Sequence, residues 1–272
     1  MSIYVSTCIL IGLAAYLGHF VVARMARAKA LGLADRLKNV PCGTDMSASL
    51  PPMVREFAMR SGAVQGLGMR VAVLTQIGQF RKARGTRLMA FSARQIIGLG
   101  APGFLWQARM RSGLLVIRVT DALVAGAGLL EVRAFGSWRL AQSTDRETTL
   151  AEAFRYLAEL PWAPDAILGN PQLMWQMTGR HEVEVHLDTK QGRATVQFTF
   201  DDAGDIVEMR AEGRPAQDAK GQPTHYPWRG RFSEYTQIGP RRLPQFAEVG
   251  YVYPSGYEAY FRCQITGYEV TG

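Results

Sequence analysis

The sequence predicts a mainly β protein of the α+β class. A curved antiparallel sheet, or half-barrel, holds one inner plug helix and follows an N-terminal transmembrane helix. Three observations carry this prediction: an apolar amino terminus, about a dozen short β-rich segments in close order, and one strongly helical segment among them. The predicted domains are residues 1–23 (transmembrane helix), 24–50 (basic juxtamembrane helix and linker) and 51–272 (β-rich half-barrel domain).

The amino-terminal segment has the length and composition of a membrane helix. Residues Ile3–Ala23 contain no Asp, Glu, Lys or Arg. At about 1.5 Å per residue they span roughly 31 Å as a helix, which is close to the hydrocarbon thickness of a bilayer. A cleaved signal peptide is the alternative, but the charged region that precedes the apolar run of such peptides is absent. The sequence therefore predicts a single-pass protein of the cell membrane.

The residues after this segment predict its orientation. Only the terminal amine precedes it, whereas five basic residues follow it closely: Arg24, Arg27, Lys29, Arg36 and Lys38. Because basic residues favour the cytoplasmic side, we expect the large domain in the cytoplasm, with a periplasmic location as the alternative. Residues 26–39 form a helical pattern that lies on the membrane or continues the anchor, and the turn-rich residues 41–52 form a linker.

Basic residues are concentrated in the amino-terminal part of the chain. Residues 24–118 hold 16 Lys and Arg against three acidic residues, although the formal net charge of the whole chain is only +8. Because the predicted anchor keeps this part near a bilayer, lipid headgroups are the favoured partner and nucleic acid is not. The candidate headgroup contacts lie in the juxtamembrane helix and in the hairpin tip "FRKARGTR", for which an inert solvated tip is the alternative: Arg24, Arg27, Lys29, Arg81, Lys82 and Arg84.

Alternating side chains indicate a sheet with one buried face. In residues 181–213, "HEVEVHLD", "RATVQFTF" and "DIVEMRAEG" are separated by tight turns, and apolar residues occupy every second position. The inward set is Val183, Val185, Leu187, Val196, Phe198, Phe200, Val207, Met209 and Ala211. A sheet of about a dozen strands twists, and this twist predicts that it curls into a half-barrel.

One helix is predicted to cover the apolar face of this sheet. Thr149 and Glu152 form a T-x-x-E capping box, so the helix begins at about Leu150, and Pro161 ends it. Its apolar stripe faces the sheet, whereas Glu152, Arg155 and Glu159 are expected on the outer face. Trp162 then lies between two prolines as a plug. The alternative is a catalytic carboxylate pair formed by Glu159 and Asp165.

A curved sheet that the plug does not fill contains an apolar cavity. We therefore predict a binding protein for an acyl chain or other hydrophobic ligand, although an ordinary filled core and a structural interaction module are alternatives. A hydrolase-type enzyme with Glu159, Asp165 or His181 as acid or base is a further alternative. The predicted cavity-lining residues are Phe104, Trp106, Phe154, Leu157, Trp162, Trp175, Phe198 and Trp228.

No motif in the sequence predicts a catalytic residue, a cofactor or a metal site. The segment "GLGAPG" at residues 98–103 has the spacing of a dinucleotide-binding loop, but a strand-like segment follows it where a helix is required. His181 and His186 are five residues apart on one strand, so they point to opposite faces and do not share a metal ion. The three cysteines are too scattered for a zinc cluster.

Several segments in order resemble one protein family. They are "LPPMVREFAMRSG", "FSARQIIGLGAPGFLWQARM", "FRYLAELPWAPDAIL" and "FTFDDAGDIVEMRAEGR". From residue 50 onward the chain is similar to an uncharacterised bacterial family known only as a domain of unknown function, which implies no activity and no catalytic residues. The expected architecture also resembles the half-barrel of lipoprotein-carrier proteins, which hold acyl chains against a curved sheet and are typically periplasmic.

Overall fold

The computed structural model describes residues 2–40, 50–64, 68, 70–217, 222–224 and 226–272, with side chains from residue 16 onward except at Ser112. The predicted linker at 41–52 therefore lies mostly outside the described residues. The helices are α1 (Ser2–Lys38), α2 (Pro52–Arg60), α3 (Arg146–Ala158) and α4 (Pro164–Gly169), with a 3-10 turn at Leu160–Trp162.

Thirteen of the fifteen described strands form a single antiparallel sheet in the order β6-β5-β4-β3-β2-β1-β15-β14-β13-β10-β9-β8-β7. This result confirms the prediction of a mainly β protein with an antiparallel sheet. The strands are β1 (Val71–Phe80), β2 (Met89–Gly98), β3 (Phe104–Ser112), β4 (Leu115–Val124), β5 (Ala127–Ala134), β6 (Trp138–Ser143), β7 (Met174–Met177), β8 (Glu182–Thr189), β9 (Gly192–Phe200), β10 (Ile206–Ala211), β11 (Ala216–Gln217), β12 (Pro223–Thr224), β13 (Trp228–Ile238), β14 (Arg241–Tyr253) and β15 (Gly256–Thr271).

The position of α3 shows that this sheet curls. One helix contacts β4 and β5 near one edge of the sheet and β8 and β9 near the other. Nine steps between neighbouring strands separate β5 from β9, which corresponds to about 43 Å in a flat sheet at about 4.8 Å per strand. Since an α-helix with its side chains is only about 10–12 Å wide, the two halves of the sheet must wrap around α3. The main hydrophobic core fills the space between them.

The first contacts of α3 show how it is held. Its amino-terminal cap is Asp145, whose side chain accepts a hydrogen bond from the Thr148 N–H at 2.7 Å. The predicted capping box is wrong, because the Thr149 hydroxyl instead accepts a hydrogen bond from the Gly128 N–H of β5 at 3.0 Å. The helix therefore begins four residues before Leu150. At the opposite edge, Arg146 donates to the Gln191 carbonyl oxygen in the β8–β9 turn at 2.9 Å.

The outer face of the sheet is partly covered as well. Ala34 and Leu37, near the end of α1, pack with a second group of buried residues on β1–β5 that face away from α3. Gly103 permits this approach, because a Cβ atom there would lie 2.7 Å from the Leu37 side chain. The predicted basic juxtamembrane helix is thus the last part of α1 and packs against the sheet, so the strands beneath it are buried on both faces.

Within the part of the chain that the structure describes, no helix is both long enough and apolar enough to cross a membrane. This finding does not support the predicted transmembrane helix at residues 1–23. The side chains of residues 1–15, on which that prediction also depends, lie outside the described residues.

A β-bulge alters the predicted faces of one strand. The pairing of β10 with β9 shifts between Ile206 and Glu208, so that Ile206 is fully buried and Val207 is only half-buried. The prediction that Val207 faces inward is therefore wrong, because the extra residue in the bulge exchanges the two positions. Met209 and Ala211, beyond the bulge, are buried as predicted.

Candidate functional site

A cavity of about 660 Å³ lies between the concave face of the sheet and α3. Residues of β1, β3–β6 and β10–β15 and of the β1–β2 turn form its wall, and α3 with Trp162 forms the other side. Ligand sites in proteins typically have volumes of about 300–1,000 Å³ and are largely apolar. The cavity therefore has the size and surface of a small-molecule site.

Four tyrosines form part of the wall, and none of them was predicted from the sequence: Tyr226, Tyr251, Tyr253 and Tyr260. Tyr251 and Tyr260 stack with ring centroids 5.4 Å apart. The Arg214 guanidinium lies 4.6 Å from the centre of the Trp228 ring and donates a hydrogen bond to the Tyr251 hydroxyl at 2.6 Å. The signal was present in the segment "YVYPSGYEAYF", where aromatic residues alternate as β14 and β15 approach their common turn. These side chains join an apolar surface to a few polar atoms.

A buried polar network connects α3 to four strands. The Trp106 indole N–H donates to Gln76 at 2.9 Å, and Gln76 donates to Gln95 at 3.0 Å. Gln95 in turn donates to the Glu159 carboxylate. Arg155 donates to Glu159 at 2.8 Å and also to Asp121 of β4. Such a network fixes the position of the helix because each broken link leaves a buried polar group without a partner.

The network places three carboxyl groups around one guanidinium. Burial raises the pKa of Glu152 well above its ordinary value, and the neighbouring Asp121 carboxylate raises it further. Burial also raises the pKa of Glu159, although the Arg155 guanidinium opposes that shift. For Arg155, burial opposes the charged form, but the carboxylates of Glu159, Asp121 and Glu152 dominate and raise its pKa. The prediction that Glu152, Arg155 and Glu159 face solvent is wrong, because the curled sheet encloses the helix on this side too.

We expect Glu152→Gln to stabilise the protein at about pH 8 and to have little effect at about pH 4. Because the pKa of Glu152 is raised in the folded state, folding favours the protonated form, and this contribution is lost as the pH rises above the ordinary value. Glutamine resembles the protonated carboxyl and keeps the contribution. Urea unfolding of both proteins across this pH range measures the difference, and a gain in stability that does not depend on pH contradicts the expectation.

The predicted cavity-lining residues divide into two groups in the structure. Trp106, Trp162 and Trp228 lie on the cavity wall. The other five residues lie in the packed core rather than on this wall: Phe104, Phe154, Leu157, Trp175 and Phe198. For two of these five the packing is direct, because Trp175 stacks on Phe198 with ring centroids 6.3 Å apart. Whether the three tryptophans bind a ligand stays a prediction.

The predicted headgroup residues also divide into two groups. Arg81, Lys82 and Arg84 lie in the β1–β2 turn and border the cavity. Arg81 and Arg84 both contact the Glu258 carboxylate, and the Arg84 guanidinium lies 4.4 Å from the centre of the Tyr253 ring. Lys82 is exposed. The second group, on α1, is exposed as well: Arg24, Arg27 and Lys29.

The three candidate acid–base residues occupy different environments. Glu159 borders the cavity with a raised pKa, as the enzyme hypothesis requires, but both of its oxygens accept hydrogen bonds. Asp165 forms a buried bidentate ion pair with Arg241 at 2.8 and 2.9 Å. His181 lies before β8, 3.9 Å from the exposed Asp202. The structure therefore does not bring Glu159 and Asp165 together as a catalytic pair around a shared opening.

Solved structures that resemble this chain share little sequence with it. One is a domain described as an outer membrane lipoprotein-sorting protein from Vibrio parahaemolyticus (9% identity, TM-score 0.46, covering 80% of this chain and 90% of that one). Another is a DUF1329 family protein from Desulfovibrio piger (10% identity, TM-score 0.41, covering 79% and 91%). A third is a LolA superfamily protein from Nitrosomonas europaea (8% identity, TM-score 0.40, covering 82% and 94%).

The sequence comparisons give a family but no activity. None of the curated proteins matches the chain. The family described as "Family of unknown function (DUF6544)" matches residues 42–263, which is well over half of the sequence. The resemblance to an uncharacterised family is thereby confirmed, and the chain belongs to the DUF6544 family.

Proposed function

We propose that this protein binds a hydrophobic ligand, such as an acyl chain, in the cavity between the curled sheet and α3. The observation that carries the proposal is a 660 Å³ space bordered by tryptophans and tyrosines inside an otherwise well-packed core. An apolar cavity of this size favours an apolar occupant, because burial of apolar surface contributes about 25 cal/mol per Å². The candidate groups of the enzyme alternative lie apart, and Glu159 and Asp165 are each paired with a different arginine, so binding is the better-supported function.

We expect Ala151→Trp to abolish binding of a neutral apolar probe. Ala151 lies on α3 with its side chain at the cavity wall, so an indole there fills space that the ligand requires. The measurement is the fluorescence of N-phenyl-1-naphthylamine titrated into the delipidated full chain, together with mass spectrometry of lipids that co-purify with it.

The matched control is Ala141→Trp, because Ala141 is exposed on β6 and does not border the cavity. This variant should bind the probe as tightly as the parent chain does. If the parent chain shows no saturable binding and no co-purifying lipid, or if both variants bind equally well, the proposed function is wrong.

We propose further that the protein works at a membrane. One end of the sheet would face that membrane. The turns β1–β2, β3–β4 and β5–β6 lie at this end, and two of its apolar residues are highly exposed: Leu114 at 96% and Trp138 at 70%. Phe135 is half-exposed beside them. The imidazole of His19 on α1 contacts the hydroxyl of Ser137, so the apolar part of α1 extends past the same turns. The basic tip with Lys82 borders the cavity here, which suits an anionic leaflet.

Tryptophan quenching tests this orientation. Trp138 is the exposed tryptophan, whereas Trp106, Trp162, Trp175 and Trp228 are buried. In proteoliposomes with brominated acyl chains, we expect bromine to quench the parent chain and Trp138→Phe to lose most of the quenching.

The positional control adds Met59→Trp to the Trp138→Phe chain. Met59 is exposed on α2, and α2 lies near the β13–β14 turn, where Ser61 accepts a hydrogen bond from the Arg242 N–H at 3.1 Å. Quenching of that tryptophan, or none in the parent chain, contradicts the proposed orientation. We also propose that the large domain is cytoplasmic, as the basic residues after the apolar segment predict. A reporter fused to the carboxyl terminus, active on one side of the membrane only, tests this location.

A further inference from the structure

Strands β2 to β6 carry an excess of positive charge on one face. They contain six arginines and only two acidic residues. Asp121 borders the cavity on the inner face, and Glu131 accepts two hydrogen bonds from Arg133, at 2.8 and 3.1 Å. The other five arginines are exposed, and none of them forms an ion pair with a residue that the structure describes: Arg94, Arg109, Arg111, Arg118 and Arg139.

Four of the arginines lie in one row across four neighbouring strands. The register places Arg118 of β4 directly opposite Arg109 of β3 on one side and Arg133 of β5 on the other. Arg139 of β6 follows opposite Arg133. The residue before Arg109 and the residue after Arg118 belong to the inner core, so these arginines point to the outer face, on which α1 packs. We call these four residues the arginine row.

The repulsion within the arginine row is only partly offset. Side chains that lie directly opposite each other on antiparallel strands have Cβ atoms about 4.5–5.5 Å apart, and like charges at such positions are destabilising. Glu131 offsets the charge of Arg133, but no described carboxylate forms an ion pair with Arg109 or Arg118. An anion that binds between these two guanidinium groups would therefore stabilise the arrangement.

Exposed apolar side chains beside the row favour a membrane as the source of that anion. The Arg118 side chain reaches the β5–β6 turn, where its Nε atom would lie 3.3 Å from a Cβ atom added to Gly136. Phe135 and Trp138 flank Gly136 in this turn, and they are 50% and 70% exposed. A membrane surface accepts aromatic side chains and cations side by side, whereas a nucleic acid would leave these apolar side chains in water.

We propose that Arg109 and Arg118 bind the phosphate group of an anionic phospholipid in the bilayer. The proposal rests on the membrane orientation proposed above, and it adds the class of lipid and the site that recognises it. The planar guanidinium group of arginine matches the geometry of a phosphate with two parallel hydrogen bonds. A zwitterionic lipid such as phosphatidylcholine carries its own cation to the site, so it binds less well than phosphatidylglycerol does.

Selective bromination tests which lipid lies beside the row. The full chain is reconstituted in bilayers with equal amounts of phosphatidylglycerol and phosphatidylcholine, and only one of the two lipids carries bromine on its acyl chains. Quenching of Trp138 is obtained by subtracting the signal of Trp138→Phe, in which only buried tryptophans remain among the described residues. The two quenching curves should give an enrichment of phosphatidylglycerol of at least about threefold around Trp138, as the charge of two arginines near a bilayer allows.

Paired substitutions assign this enrichment to the arginine row. Arg109→Gln with Arg118→Gln should remove it, whereas Arg109→Lys with Arg118→Lys should retain most of it because the charge remains. The matched control is Arg55→Gln with Arg180→Gln, which removes the same charge from α2 and from the β7–β8 turn and should leave the enrichment unchanged. In urea unfolding, the glutamine pair in the row should be at least as stable as the parent chain, since it removes a repulsion.

The outcomes separate this inference from the proposed function. If both brominated lipids quench Trp138 equally, the inference is wrong and the membrane orientation stands. The inference is also wrong if the glutamine pair in the row retains the enrichment or is less stable than the parent chain, or if the lysine pair loses as much enrichment as the glutamine pair. Tighter binding of a 20-base-pair DNA to the parent chain than to the glutamine pair, without lipid enrichment, would assign the row to nucleic acid instead. If neither lipid quenches Trp138, the membrane orientation fails as well, while ligand binding is still decided by the probe titration.

Discussion

Arg155→Met should lower the free energy of unfolding by about 3–5 kcal/mol, since removal of one partner from a buried charge network leaves the others uncompensated. Arg155 is the guanidinium that contacts both Asp121 and Glu159. It also lies 4.8 and 5.0 Å from the ring centres of Phe104 and Trp106, so the substitution removes packing as well as charge. Urea unfolding near neutral pH measures the loss.

Two comparisons separate charge from packing at this position. Arg94→Met removes an arginine from the exposed face of β2 and should have little effect. Adding Asp121→Asn to Arg155→Met should recover part of the stability, because one uncompensated carboxylate is then absent. If the double variant is less stable than the single one, the loss comes from packing and the electrostatic explanation is wrong.

The second large effect is expected at the ion pair between Arg241 and Asp165. This pair joins the start of β14 to α4, and its side chains are only 8% and 6% exposed. Arg241→Met leaves the buried Asp165 carboxylate without its cation, and we expect a loss of about 3–5 kcal/mol in the free energy of unfolding. Thermal and urea unfolding should both show the change.

The exposed pair of Arg193 and Asp188 is the matched control. Its geometry is also bidentate, at 2.7 and 3.0 Å, but its side chains are more than half exposed. Arg193→Met should therefore cause little change in stability. The double variant Asp165→Leu with Arg241→Met should be more stable than Arg241→Met alone, since no isolated charge remains. Equal losses from Arg193→Met and Arg241→Met contradict the role assigned to burial.

The sequence carried enough information for the architecture because the sheet depends on local patterns. The alternation in β8, β9 and β10 predicted the strands and, apart from Val207 at the bulge, their buried faces. Pro161 was predicted to end α3, which ends three residues earlier, at Ala158, and Pro161 lies in the 3-10 turn that follows.

The start of α3 was predicted wrongly, because Asp145 and not Thr149 caps the helix. The Thr149 hydroxyl donates to the Asp145 carbonyl oxygen and accepts from the Gly128 N–H, and only the folded sheet brings Gly128 close to it.

The candidate site was less predictable because its polar residues come from distant parts of the chain. Gln76, Gln95 and Asp121 are isolated polar residues on three strands that otherwise have apolar inward positions. Each alone resembles an outward-facing residue. Their common role follows from the register of β1 to β4, in which Gln95 pairs with Trp106 and Trp106 with Asp121. Glu152 and Glu159 were predicted to face solvent. The sequence pattern of a helix shows one apolar face, and it does not show whether a second surface packs against the other face.

The pairing of β1 with β15 has a consequence for biosynthesis. Val71 lies opposite Thr271, so about 200 residues of sequence separate β1 from the strand with which it pairs. Until the ribosome has released β15, β1 has an unpaired edge, and ordering so long an intervening chain slows folding. We therefore expect nascent chains that stop before β15 to depend on chaperones, whereas complete chains do not.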